Sequence, residues 1–206
     1  MKIKKNILIG EFLGSCFLVM IIVGSGIMAE NLTNDDGIRL LANTIATGAG
    51  LFVLITAFAD ISGAHFNPFV SLAMFFRKKI KGNLLKYYIP AQIFGCLLGV
   101  MFANVFFEHS LLELSTKNRD GLHIFVSEII ATFGLIFIIF ATLKLSSSEL
   151  TFSKLSTSSP ISVNFSIILL SLYFVSKCSL SQPIVNFICL GLYSLMVHPM
   201  DQIQNG

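Results

Sequence analysis

Charged residues are scarce in this chain: Asp, Glu, Lys and Arg make up 12% of its 206 residues, whereas hydrophobic residues make up 54%. A water-soluble domain of this length cannot hide so large an apolar fraction behind so little charged surface. The mean hydropathy of +0.81 points the same way. The composition therefore argues against an ordinary soluble domain and favours a protein that is dissolved in a lipid bilayer.

Motifs for metal binding and catalysis are missing as well. The four cysteines form no CxxC pair, and the four histidines lie far apart without an HExxH motif. These absences argue against a zinc site, a disulfide framework and an intramembrane metalloenzyme. We therefore predict no metal, no cofactor and no enzymatic activity, and we interpret the cysteines as packing residues: Cys16, Cys96, Cys178 and Cys189.

What the chain does contain is a series of long apolar runs. A helix needs about 20 apolar residues to cross a hydrocarbon core of about 30 Å. Five runs approach or exceed that length, at 6–29, 40–59, 87–107, 122–143 and 161–176. Glu11 interrupts the first run, which disfavours a cleaved secretion signal there. The sequence thus predicts an all-α membrane protein with five full spans.

Basic residues are distributed unevenly among the connections between these runs. Three lysines precede the first run, five basic residues lie in 77–86, and Lys144 and Lys154 follow the fourth run. The remaining connections carry most of the acidic residues. Because Lys and Arg accumulate on the cytoplasmic side of membrane proteins, we expect a multi-pass protein of the cell's inner (plasma) membrane with a cytoplasmic N-terminus.

Two pairs of short segments indicate an internal repeat. Segment 11–15 resembles 128–132, and segment 66–70 resembles 181–185. Because three spans separate the two repeat starts, the second half would be inserted upside down, as in many transporters and channels. Chance similarity within an apolar chain is the alternative. We predict a first repeat at 1–110 and a second, incomplete repeat at 111–206, both within one membrane domain.

The first repeat also contains signals for a helix that starts inside the membrane. Gly63 permits a tight turn after the second run, Asn67 is a good N-cap, and Pro68 suits the first helical position, where no amide donor is needed. A helix N-terminus at that depth is tolerable only where something polar, such as a file of water, meets it. We predict a re-entrant half-helix here.

The loop at 62–68 resembles the first signature loop of the major intrinsic protein (aquaporin) family, with supporting matches at Glu11, Ala91, Gln92 and Glu128. The resemblance implies an aquaporin-like inverted repeat whose two half-helices meet at mid-membrane, where their Asn amides donate hydrogen bonds to the solute. It assigns the first such donor to Asn67. It further implies that Glu11, Glu128 and His65 brace the re-entrant loops.

Both half-helix motifs depart from the family pattern. The second reads Gln182, Pro183, Ile184 where Asn-Pro-Ala would stand, and in the first Phe69 replaces the usual Ala. Gln keeps an amide donor on a longer side chain but is a poorer helix cap. Phe69 adds bulk where the two half-helices should touch. Both changes argue against tight, water-selective packing.

The resemblance also locates a selectivity filter, by spacing from the two motifs, at Thr47, Leu170, Ser179 and Val185. Water-selective members of the family have an aromatic residue, a His and an Arg there, and none of the three is present. The resulting filter favours neutral solutes larger than water. The absence of Arg at Val185, together with segments 24–28 and 41–48, resembles the bacterial branch associated with arsenic-resistance genes, and this resemblance implies the uncharged hydroxides of arsenic and antimony (arsenite and antimonite) as solutes. Glycerol-like solutes are the other candidates, and water is a further one.

The family's sixth span is expected after the second half-helix, but the sequence stops at Gly206. We therefore expect a C-terminal truncation, explained by gene decay, by a frameshift or by an oligomer that closes the open wall. Three functions stay open: a passive channel, a non-conducting remnant or structural membrane subunit, and an ion-coupled transporter that uses Glu11 and Glu128 as proton carriers. The channel is favoured. The partners we expect are membrane lipid, small neutral solutes and, by the resemblance, further copies in a homo-tetramer, but no nucleic acid.

Overall fold

The computed structural model describes residues 5–111 and 122–147, and this part of the chain is built from five α-helices without a strand. Several predictions fall outside the described residues, namely the run at 161–176, the second half-helix motif at Gln182, Pro183 and Ile184, and the filter positions Leu170, Ser179 and Val185. The five helices are α1 (Lys5–Leu32), α2 (Asp36–Ser62), α3 (Pro68–Phe76), α4 (Gly82–Phe106) and α5 (Leu122–Ser147).

Helices α1, α2 and α4 are long and apolar enough to cross a membrane, which agrees with the runs predicted at 6–29, 40–59 and 87–107. Helix α5 corresponds to the run at 122–143, and it contains a shorter apolar segment at Thr132–Ala141. Most of these helices continue at one or both ends past the apolar run into a polar end turn. At the start of α2, for example, the Asp35 side chain caps the helix by accepting a hydrogen bond of 2.9 Å from the Ile38 amide.

The core of the described part lies where α1 packs against α4, with α2 on another side of α1. Two glycines of α4, Gly95 and Gly99, face the backbone of α1. The carbonyl oxygens of Phe12 and Cys16 lie only 2.3 and 2.4 Å from the positions that a Cβ on Gly95 and Gly99 would take, which is too close for a side chain there. Because neither glycine has a side chain, the two helix backbones can approach closely, as small residues allow in membrane proteins. Apolar side chains fill the remaining interface: Val19, Ile22, Val23, Ile27, Cys96, Val100 and Ala103.

Helix α3 has only nine residues. At about 1.5 Å per residue it is about 14 Å long, roughly half of what a hydrocarbon core of about 30 Å requires. It packs against α4 and touches α5, where the Arg77 guanidinium lies 4.6 Å from the centre of the Phe140 ring. The predicted half-helix is therefore present, and it leads back toward the basic segment that precedes α4.

Candidate pore loop

The loop between α2 and α3 is a sharp reversal with an unusual backbone. Helix α2 ends at Gly63, whose φ of 89° lies in the left-handed region and whose amide bonds to the Ala59 carbonyl at 2.9 Å. Ala64 and Phe66 also have positive φ, both at 49°. For residues with a side chain this conformation costs roughly 1 kcal/mol each. The loop therefore needs contacts that hold it in place.

Glu11 of α1 supplies the central contact. Its side chain is fully buried, and each of its carboxylate oxygens accepts two hydrogen bonds. Oε1 accepts from the Ser62 hydroxyl at 2.6 Å and from the His65 amide at 3.1 Å. Oε2 accepts from the Phe66 amide at 2.9 Å and from the Gln92 side-chain nitrogen at 2.7 Å. One carboxylate thus binds the end of α2, the loop and α4 together.

Gln92 extends this network to the half-helix. Its Nε2 donates a second hydrogen bond to the Ser71 hydroxyl of α3 at 2.9 Å, and that hydroxyl also lies 2.9 Å from Nδ1 of His65. Gln92 and Ser71 are both fully buried, and His65 is half-buried. The chain of contacts from Glu11 through Gln92 to Ser71 fixes how α3 is placed relative to α1 and α4.

Two aromatic side chains complete the packing of the loop. The Tyr88 hydroxyl donates a hydrogen bond to the Ser62 carbonyl, and the Tyr88 ring meets the His65 ring edge-on at 5.3 Å between centroids. Phe66 is buried under α1, and its ring occupies the space that a side chain at Gly14 would need. The strained residue Phe66 is therefore fixed both by its backbone bond to Glu11 and by the shape of α1.

Asn67 is the N-cap of α3. Its Oδ1 accepts a hydrogen bond from the Phe69 amide at 2.8 Å, and Pro68 occupies the first helical position. With Oδ1 engaged in the cap, the two Nδ2 hydrogens have no partner among residues 5–111 and 122–147. The N-terminus of α3 thus presents side-chain amide donors and the positive end of a helix dipole at one place.

The other predicted site residues are placed as follows. Thr47 lies half-buried on α2, and its hydroxyl donates to Oδ1 of Asn43 at 3.0 Å. Phe69 is half-buried at the start of α3. Glu128 belongs to α5, but its side chain lies outside the described part of the structure. The described residues thus bring Glu11, His65 and Asn67 together around one loop, while Thr47 lies on the long helix before it.

Sequence reasoning gave no role to Ser62, Ser71 or Tyr88, and it cited Gln92 only as a supporting match. All four have side-chain hydrogen bonds to the loop or to its anchors. The available signal was the cost of burying polar groups in a membrane: a Gln or a Ser in an apolar helix that crosses the bilayer needs a partner inside the protein. That rule marks such residues but does not say which partner each one has.

Replacing Tyr88 with Phe is expected to lower the stability of the protein by about 1–2 kcal/mol, because the buried Ser62 carbonyl loses a hydrogen bond. The free energy of unfolding in mixed detergent and SDS micelles would measure this loss. The matched control is Tyr87→Phe, since the neighbouring Tyr87 is exposed. Equal losses in the two variants would show that the Tyr88 hydroxyl does not stabilise the loop.

Comparisons with known proteins agree with this geometry. The family described as Major intrinsic protein matches residues 1–181. The chain is 43% identical to Aquaglyceroporin AqpS of Rhizobium meliloti over 136 residues, which are 66% of this chain and 58% of that protein. It is 34% identical to Aquaporin NIP3-1 of Arabidopsis thaliana over 143 residues, 65% of this chain and 44% of that protein. The chain thus spans about half the length of these curated relatives.

A solved structure has the same fold. The aquaglyceroporin from Plasmodium falciparum, determined by X-ray crystallography, superposes with a TM-score of 0.62 at 21% sequence identity, covering 83% of this chain and 71% of that one. This likeness shows the fold alone. Taken with the family match over most of the sequence and the apolar helices that flank a re-entrant half-helix, it establishes that the chain is a multi-pass membrane protein and belongs to the major intrinsic protein family.

Proposed function

We propose that the chain forms a passive channel through which small neutral solutes diffuse in both directions. The observation that supports this most directly is the capped N-terminus of α3, a half-helix of nine residues. An amide side chain and the end of a helix dipole within the apolar part of the protein are costly unless a polar solute meets them. Asn67 is the first solute donor in this proposal, and Gln182 takes the corresponding role in the second motif.

The solutes we propose are glycerol-like polyols and the neutral hydroxides of arsenic and antimony, with water as a further permeant. This follows from a filter of Thr47, Leu170, Ser179 and Val185, which lacks the aromatic and cationic side chains of a narrow water filter. The relative AqpS from Rhizobium meliloti is named an aquaglyceroporin, which is consistent with this choice. The two repeats, 1–110 and 111–206, would contribute one half-helix each.

The orientation we propose follows the charges at two connections, the one between α1 and α2 and the one between α3 and α4. Asp35 and Asp36 lie where the α1–α2 connection meets the start of α2, and Arg39 in the first turn of α2 forms an ion pair of 3.1 Å with Asp36. Exposed Arg77, Lys78 and Lys79 follow α3. By the positive-inside rule, the α3–α4 connection and the N-terminus are cytoplasmic in the plasma membrane. Assembly into homo-tetramers is the expectation that the family resemblance gives.

Stopped-flow swelling of proteoliposomes tests the channel. Vesicles that contain the protein should respond faster than empty vesicles to gradients of glycerol, arsenous acid or water. A channel would conduct equally well with and without an uncoupler, whereas a proton-coupled transporter that uses Glu11 or Glu128 would lose uptake. Responses equal to those of empty vesicles for all three solutes would contradict the proposal and would favour a non-conducting remnant or a structural subunit.

Replacing Asn67 with Ser tests its role as a donor separately from its role as a helix cap. Ser caps a helix about as well as Asn, but it has no amide group to offer to a solute. We expect the solute flux to fall about tenfold, as the loss of one hydrogen bond of about 1.4 kcal/mol would require. The matched control is Asn31→Ser at an exposed position near the end of α1. A flux that changes no more than in this control would exclude Asn67 as a solute contact.

A further inference from the structure

Two threonines of α2, Thr47 and Thr56, donate their hydroxyl hydrogens to different kinds of acceptor. Thr56 donates to the backbone carbonyl four residues earlier, that of Phe52, at 2.9 Å, as Thr commonly does in helices. Thr47 instead donates to the side chain four residues earlier, Oδ1 of Asn43, at 3.0 Å. The hydroxyl of Thr47 is therefore oriented by another side chain and not by the helix backbone.

The direction of this bond is determined by α1. Nδ2 of Asn43 donates to the Ile22 carbonyl at 3.4 Å, and the Ser25 hydroxyl donates to the same carbonyl at 3.2 Å. A backbone carbonyl can only accept, so the amide of Asn43 must turn its nitrogen toward α1 and its oxygen toward Thr47. Since an amide oxygen also only accepts, the hydrogen in the contact must come from Thr47.

This arrangement limits what Thr47 can offer to a solute. A hydroxyl group has one hydrogen and two lone pairs. With its hydrogen bound to Asn43, Thr47 can only accept hydrogen bonds at the filter. A solute that passes it must therefore bring a donor of its own, as the O–H groups of a polyol or of an uncharged metalloid hydroxide do.

We propose that Asn43 is a specificity-determining positioning residue, which fixes the Thr47 hydroxyl as an acceptor for the O–H groups of neutral polyhydroxylated solutes. The proposal rests on the channel function proposed above. Asn43 acts through Thr47 and does not itself need to touch the solute. Its anchor is the carbonyl of Ile22, a residue whose side chain belongs to the buried core cluster of α1 and α4, so Asn43 ties the filter side of α2 to a buried part of α1.

The test compares the permeabilities of glycerol and water in proteoliposomes that contain Asn43→Leu. Without the amide oxygen, the Thr47 side chain can rotate until its Oγ1 donates to the helix backbone, as Thr56 does, and this rotation moves the oxygen and its lone pairs away from the filter. Glycerol then loses an acceptor that it cannot replace, whereas water in a file can bond to another water. We expect the ratio of glycerol to water permeability to fall about three- to tenfold, the range that one hydrogen bond accounts for.

A double-variant comparison separates an effect through Thr47 from a general loss of structure. In a Thr47→Val background, adding Asn43→Leu should change the permeability ratio by less than about twofold, because the hydroxyl that Asn43 orients is already gone. Thr56→Val is the matched control on the same helix and should leave the ratio unchanged. A full effect of Asn43→Leu in the Thr47→Val background would overturn the proposal and identify Asn43 as a purely structural residue.

The outcomes also separate this inference from the function on which it rests. If the unaltered protein conducts both solutes and Asn43→Leu has the same permeability ratio, the role of Asn43 is overturned while the channel stands. If the unaltered protein conducts neither solute above empty vesicles, the channel fails and this inference fails with it. A lowered ratio that disappears in the Thr47→Val background supports both.

Discussion

Replacing Glu11 with Gln is expected to destabilise the protein by about 3 kcal/mol or more. The amide of Gln has one oxygen instead of two, so two of the four donors around position 11, three of which are buried, lose their acceptor and face N–H groups instead. Each buried donor left unpaired costs about 1–3 kcal/mol. Because the Phe66 and His65 amides belong to the strained part of the loop, the loop should lose its fixed conformation first.

Reversible unfolding in mixed micelles measures this loss, and limited proteolysis within 62–67 would show whether the loop opens. Glu108→Gln makes the same chemical change at an exposed position after α4 and should have almost no effect. An equal stability of the two variants would mean that the Glu11 carboxylate does not hold the loop. A loop that becomes protease-sensitive only in Glu11→Gln would support the bracing role.

The second large effect is expected at the glycines between α1 and α4. Adding a methyl group at Gly95 or Gly99 places a Cβ against the backbone oxygen of Phe12 or Cys16, which cannot move aside as a side chain can. Such overpacking typically costs about 1–3 kcal/mol. A larger distance between α1 and α4 should also stretch the hydrogen bond of 2.7 Å between Gln92 and Glu11. The loop that Glu11 holds should then be destabilised as well, although neither glycine lies within it.

The sign of this effect distinguishes it from ordinary helix propensity. Ala is favoured over Gly in a helix by about 1 kcal/mol, so Gly→Ala at an unconstrained helical position should not destabilise. Gly24→Ala on α1 is the control, because the nearest group to its new methyl is the movable ring of Phe107 at 3.3 Å. We expect Gly95→Ala and Gly99→Ala to lower the free energy of unfolding and Gly24→Ala to leave it unchanged or raise it. If all three variants changed the free energy of unfolding in the same direction, close packing of the two backbones would not be the cause.

Local chemistry made much of the fold predictable. Gly63 ends α2 with a positive φ, and Asn67 and Pro68 start α3, because turn and cap preferences act over a few residues and are visible in the sequence. The apolar runs located α1, α2 and α4 for a similar reason: a bilayer imposes both a length and a composition on any helix that crosses it.

Contacts between distant parts of the chain were not predictable in the same way. Such contacts depend on how each helix is rotated about its axis and on how close the helices lie. Examples are the bond from Tyr88 to the Ser62 carbonyl and the bond from Asn43 to the Ile22 carbonyl. Hydropathy does not encode that rotation, since a helix in lipid is apolar on every side. The close approach set by Gly95 and Gly99 decides which polar groups meet, and single-residue preferences carry no information about it.

The position of Glu11 ahead of all its hydrogen-bond partners in the sequence also constrains how the protein can be made. Its hydrogen-bond partners follow 51 to 81 residues later in the sequence. While a ribosome is still synthesising that stretch, α1 exposes a carboxyl group with none of its final donors, which is unfavourable in lipid. Release of α1 into the bilayer should therefore wait until α4 has emerged. We therefore expect the first four helices to integrate into the membrane together, since Gln92 is the last partner of Glu11 to be synthesised.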